Sequence, residues 1–168
     1  MSKILICTYE EALLPFQGTP GAACRDLSCS QDFEVKSSEI AKIWTGIKTA
    51  LPHGRAVRMY ARSSLPSKIG LMLANGVAVI DSDYRGEYLL QLYNFTAQTV
   101  KIQKWTRLAQ IEFFPHLYIK EGKSHFWTEN FSKEPPELQW IVDANLYNDF
   151  ANHYPSQRGE GGIGSTGK

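Results

Sequence analysis

Asn75-Gly-Val-Ala-Val-Ile-Asp-Ser-Asp-Tyr-Arg-Gly-Glu87 decides how this chain is read. A turn pair, Asn75-Gly76, opens onto the apolar run Val77 to Ile80. Two carboxylates, Asp81 and Asp83, then meet Tyr84 and a second turn pair, Arg85-Gly86. The segment that follows, Tyr88-Leu-Leu-Gln-Leu-Tyr-Asn94, is long enough for another strand. Val77, Val79 and Ile80 are β-branched and favour a pleated backbone, so the pattern predicts strand, turn, strand: a hairpin whose bend carries the acids. Asp and Gly are ordinary turn residues. Taken alone, the bend fits a solvated acidic turn as well as it fits an acid site.

Composition bounds the rest. A chain of 168 residues, 43% apolar and 21% charged, suits one domain with its own core and argues against global disorder. A net charge of +1 gives no surface for coating nucleic acid, so any polyanion bound must be small and held locally. Cys7, Cys24 and Cys29 are odd in number and lack metal-type spacing, which points to a reducing, cytoplasmic setting rather than a disulfide framework. The apolar run at the start is too short for a signal peptide. No segment reaches membrane-spanning length.

Outward from the central stretch, short strands recur. Residues 3–7, Phe33-Glu-Val35, Ile40 to Trp44, Ile47 to Leu51, Arg55 to Tyr60, Thr99 to Gln103 and the segment through Ile111-Glu-Phe-Phe114 are punctuated by Gly and Pro, the pattern of an all-β sandwich, jelly roll or barrel. Residues 118–157 are rich in aromatics. There Pro135-Pro136 precedes Leu138, Ile141, Val142, Leu146 and Phe150 at near-helical spacing, which predicts a short helix over 137–150, packed on the β domain or a neighbouring subunit. The end, Gln157-Arg-Gly-Glu-Gly-Gly-Ile-Gly-Ser-Thr-Gly-Lys168, fits either a disordered tail or a strand able to wrap backbone N–H groups round a polyphosphate. It lacks the Gly-Lys-Ser/Thr order of a Walker A loop.

Five stretches, in order, resemble the motifs of the dUTPase family. Gly21-Ala-Ala-Cys-Arg-Asp-Leu27 resembles the first, with Cys24 and Arg25 where the family has Gly and an aromatic. Arg62-Ser63-Ser64 resembles the second, and residues 75–87 the third. Trp105-Thr-Arg-Leu-Ala-Gln-Ile111 resembles the fourth, with Trp105 and Thr106 in place of Gly and a carboxylate. Arg158 to Gly167 resembles the fifth, with Ile163 where Phe or Tyr is usual. The missing carboxylate at Thr106 leaves open which ion pair orients Arg107.

The resemblance implies a jelly-roll-like fold with a β core over residues 1–117, an aromatic-rich insert over 118–157 and a glycine-rich lid over 158–168. It implies a homotrimer whose active sites combine motifs from different subunits, hydrolysing dUTP to dUMP and pyrophosphate by attack of water on the α-phosphorus. Asp81 matches the base that takes the water's proton, and Asp26 the acid that holds Mg²⁺ through waters. Arg62, Ser63, Ser64 and Gln110 match triphosphate contacts, Gln110 also counting with the catalytic group. Asn75, Val79, Ile80 and Leu89 match the backbone and walls around uracil, and Tyr84 the aromatic under the deoxyribose. Arg158, Ile163, Gly164, Ser165 and Thr166 match the closing lid. Asp83 reads as a turn residue.

Two rival readings have their own signatures. A dCTP deaminase shares the fold and an Arg-Ser-Ser motif but needs a glutamate in the strand after the bend, where this chain has Gln91, and an amide cannot shuttle protons. Pro66-Ser67-Lys68 also lacks the deaminase arginine. A binding protein on a dUTPase scaffold, meeting a protein partner through the 118–157 insert, is the other. Retention of both Asp26 and Asp81 favours the enzyme. The host reads equally as a cell or a virus.

Overall fold

A computed structural model describes residues 3–116, 118–120, 123–125 and 137–162. The chain order runs β1 (Lys3–Thr8), a 3-10 turn (Glu11–Leu13), β2 (Arg25–Ser28), β3 (Phe33–Val35), β4 (Ile40–Trp44), β5 (Lys48–Ala50) and β6 (Arg55–Ala61). A one-turn helix (Leu65–Ile69) leads to β7 (Leu71–Leu73), β8 (Ala78–Ile80), β9 (Leu89–Asn94), β10 (Val100–Ile102) and β11 (Arg107–Pro115). A small hairpin, β12 (Tyr118–Lys120) with β13 (Lys123–His125), precedes β14 (Glu137–Val142), α1 (Ala144–Asn148) and α2 (Phe150–His153).

Two sheets frame the core. One has the order β2-β11-β6-β8 and the other β4-β9-β7. Alternation sets their inner faces: Val57 and Met59 from β6, Ala109 and Ile111 from β11, and Leu90 and Leu92 from β9 belong to one shared apolar cluster. A third sheet, β14-β1-β5, and the pair β10-β3 complete the all-β architecture. Tyr88 is fully buried among these layers. Its hydroxyl meets Thr49 Oγ1 at 2.7 Å, and burial pushes the phenol well above its usual pKa.

The central stretch is not the hairpin its pattern predicts. β8 pairs with β6, β9 pairs with β4 and β7, and no ladder joins β8 to β9 among the described residues. The reason lies in residues 81–88, which are too long for a tight hairpin turn and are bonded elsewhere. Buried Arg85 donates to the carbonyls of Ser82 (2.7 Å), Tyr84 (3.1 Å) and Tyr154 (2.7 Å), and the Gly46 amide donates to Glu87 Oε1 (2.5 Å). With every one of those groups engaged, the bend is carried from one sheet to the other.

The helix expected over 137–150 also needs correction. Glu137–Val142 is a strand, parallel to β1 from Lys3↔Glu137 to Thr8↔Val142. Leu138 and Trp140 pack against the main core. Apolar spacing over so short a run fits both periods, and the available partner edge of β1 decides it. Helix begins only after Asp143, whose Oδ1 accepts from the amides of Asn145 (2.8 Å) and Leu146 (3.0 Å), a side-chain N-cap. Tyr147 and Phe150 then bury themselves with Cys7 in a second small core on β1. No helix among the described residues is long and apolar enough to cross a membrane.

Candidate active site

Because β8 and β9 diverge into different sheets, a cleft of about 600 Å³ opens between them. β8 is the edge strand of its sheet, so its second edge faces this space. β7 reaches β9 only at Leu92–Asn94, which leaves Leu89 beyond its ladder. Asn75, Val79, Ile80, Asp81, Tyr84, Leu89 and Arg158 all line the cleft. Seven of the residues picked out from sequence therefore meet at one place.

Tyr84 is fixed from two directions. Its hydroxyl donates to the Glu87 carbonyl at 2.9 Å, and its ring lies against Gly86, where an added Cβ would stand 2.4 Å from the hydroxyl oxygen. Glycine is required there for close approach rather than for backbone freedom. Asp81, at the end of β8, keeps a half-exposed carboxylate that is paired with the Arg158 guanidinium. Arg158 lies 5.5 Å above the Tyr84 ring and donates from Nε to the Gly161 carbonyl at 2.8 Å. Further contacts hold the chain around Arg158: Arg85 N to the Gly159 carbonyl (2.7 Å), Ser156 Oγ to the Asp83 carbonyl (2.5 Å), and Lys48 Nζ to Glu160 (2.7 Å). Asp83 lies off this cleft but lines a second cavity with Asp81 and Arg158. Ile163, Gly164, Ser165 and Thr166 lie outside the described residues.

A second constellation forms on β2, β11 and the end of β6. Asp26 Oδ2 pairs with Arg62 Nε at 3.1 Å and Arg107 Nη1 at 3.6 Å, and Arg62 also donates to the Arg107 carbonyl at 3.1 Å. Gln110 stands opposite Asp26 in the ladder, and its Nε2 donates to the Ala61 carbonyl at 3.0 Å. Ser63 is exposed and Ser64 half-buried just after Arg62. None of Asp26, Arg62, Ser63, Ser64 and Gln110 lines the cleft that holds Asp81. Among the described residues the two constellations are therefore separate within one chain.

The departures from the family pattern have structural partners. Arg107, lacking a neighbouring carboxylate at Thr106, is oriented by Asp26 and by the Phe16 ring 4.9 Å away. Arg25 lies 5.2 Å over the Trp140 ring, so an altered first motif meets the β14 segment directly. Trp105 adopts φ +67°, the left-handed region that favours the glycine usual there. Sequence reasoning missed Trp44, Lys42 and Glu160, which also line the cleft. The outward positions of β4 gave a signal, but its register against β9 did not.

Comparison with known proteins places the chain in a family. The dUTPase family model matches residues 10–134. Deoxyuridine 5'-triphosphate nucleotidohydrolase of Hydrogenobaculum sp. is 34% identical over 159 residues, covering 94% of this chain and 92% of its own. The enzyme of the same name from Desulfitobacterium hafniense is 48% identical over 105 residues, covering 61% and 70%. Among solved structures, the dUTPase of Streptococcus mutans superposes with a TM-score of 0.64 at 37% identity, covering 66% of this chain and 91% of that one. A dUTPase of S. aureus phage phi11, described with a structural Mg(II) ion, shares the fold at a TM-score of 0.64 and 18% identity. The chain belongs to the dUTPase family.

Proposed function

We propose that the chain hydrolyses dUTP to dUMP and pyrophosphate in an assembled homotrimer, with Asp81 as general base and the cleft between β8 and β9 as the uracil site. The observation that carries this is the placement of Asp81 and Tyr84 at the mouth of a cleft bounded by strand edges with no ladder between them. A planar pyrimidine carrying both a donor and acceptors can pair with such edges as an added strand would. Val79 and Leu89 at the walls would exclude a 5-methyl group. The Tyr84 ring, held against Gly86, would lie under the deoxyribose and leave no room for a 2′-hydroxyl.

Water positioned by the Asp81 carboxylate loses its proton to it while attacking the α-phosphorus, and pyrophosphate departs. Arg158 sits on Asp81. A triphosphate offers that guanidinium a bidentate partner of higher charge, so substrate would draw Arg158 off and free the base. Asp26, Arg62, Ser63, Ser64 and Gln110 of a second subunit would supply the triphosphate contacts that this subunit's cleft lacks. Room for them exists in a second cavity of about 580 Å³, also lined by Asp81 and Arg158.

The donor set fits Mg²⁺ carried in by the substrate. Among the described residues no cluster of three or more His, Cys, Asp or Glu could cage a metal. Mg²⁺ characteristically keeps waters and takes phosphate oxygens. Both arginines pair with Asp26 at Oδ2, and this carboxylate would accept from a metal-bound water. When bound, the ion would neutralise charge on the phosphates. Turnover of dUTP, dCTP, dTTP and UTP, each with and without Mg²⁺, tests the whole reading. Selective release of pyrophosphate from dUTP is expected, and deamination of dCTP would overturn it.

A further inference from the structure

The geometry points to Trp44 as a substrate-binding residue that gives the base cleft an aromatic wall, its indole stacking on the pyrimidine ring. This rests on the dUTP reading of the cleft and deepens it. Among the described residues, Trp44 and Tyr84 are the aromatic side chains lining the cleft. Tyr84 is held against Gly86 with its hydroxyl committed to Glu87. Trp44 is 41% exposed, and among the described residues no ring or cation is packed on it and its indole N–H makes no hydrogen bond. An open indole face with a free donor, in a cleft shaped for a heteroaromatic base, is a stacking platform.

The backbone beneath it is fixed. Trp44 ends β4 directly opposite Leu89, the residue of β9 that lies beyond the β7 ladder. Its carbonyl accepts twice from Ser30, from the amide at 2.9 Å and from Oγ at 3.0 Å. The next residue is equally tied, since Thr45 donates to the Tyr88 carbonyl from both its amide (3.2 Å) and Oγ1 (2.9 Å). The side chain therefore starts from a rigid anchor on the outward face of the sheet. That face turns it toward the cleft, while Ile43 beside it goes into the core.

Base–aromatic stacking is lost on alanine substitution to the extent of about 5- to 150-fold in affinity. For Trp44→Ala, KM for dUTP and Kd for a non-hydrolysable imido-dUTP should rise by a factor in that range while kcat changes little. Trp44→Phe should keep both within about threefold, because a π-face remains. Fluorescence gives an independent readout: dUMP should quench the native protein and Trp105→Phe alike, and the quench should disappear in Trp44→Phe. Unchanged KM in a folded Trp44→Ala protein, or a full quench surviving in Trp44→Phe, would overturn the assignment. A native protein that does not turn over dUTP at all would instead overturn the function proposed for the cleft.

Discussion

Asp81 and Trp105 make the two sharpest statements available at the scale of single residues. Asp81→Asn keeps the shape of the cleft but replaces an acceptor of protons with an amide that cannot take one. Turnover should fall by about 10²–10⁴-fold. Binding of imido-dUTP should be retained, since Arg158 is then no longer paired with a carboxylate and is released to the phosphates. Calorimetry beside steady-state kinetics checks both halves, and retention of more than half the native rate would remove Asp81 as the base. Trp105 illustrates a cost unconnected with chemistry. Its left-handed backbone carries roughly 1–2 kcal/mol of strain for a residue with a Cβ, and the indole is half-exposed, with Lys104 Nζ 4.9 Å from the ring. Glycine would relieve the strain while giving back roughly 0.5–1 kcal/mol in chain entropy. Trp105→Gly should therefore leave stability to urea unchanged or slightly raised. A loss above about 1 kcal/mol would show that the indole's contacts outweigh the strain.

Elements show where sequence stops being sufficient. Individual strands were legible because alternation is local: Phe33–Val35 and Ile40–Trp44 fall where period and turn residues put them. Pairing was not, because the partner of β8 is chosen by what residues 81–88 bond to, and Arg85 reaches Tyr154 across a separation no local pattern encodes. β14 was misjudged for the same reason, its fate resting on the free edge of β1. The residues that gather at the cleft and around Asp26 were singled out through motif order rather than through physics, and Trp44 was not because it lies in none of the motifs. The segment from Ser156 to Gly162 joins these lessons to function. It lies along the bend of residues 81–88 through the Tyr84–Gly159 bridge and the Arg85–Gly159 bond, and is tied to β5 by the Lys48–Glu160 pair. Deleting residues 158–168 removes Arg158 from the cleft without touching either core. Turnover should nearly vanish while the melting temperature moves by only a few degrees. A truncated protein with full dUTP turnover would show that the glycine-rich end takes no part in the reaction.

At the scale of the whole molecule, Asp81 and Asp26 belong to constellations that, among the described residues, line no common cavity. If the working site joins the cleft of one subunit to the Asp26–Arg62–Gln110 cluster of another, a lone subunit is inactive, and closed symmetry makes every site equivalent. That arrangement predicts complementation. Asp81→Asn damages only the first half-site, and Arg62→Ala only the second, so each pure variant should be nearly dead. When the two are unfolded together in equal amounts and refolded, subunits mix at random. A site works when its cleft comes from an Arg62→Ala subunit and its phosphate-binding half from an Asp81→Asn subunit. Each condition holds half the time, so about a quarter of the native activity should return. Light scattering on the same sample should give the mass of three chains. Recovery of nothing, with both variants folded and trimeric, would mean that each chain completes its own site. The separation of the two constellations would then have to be closed by movement within one subunit.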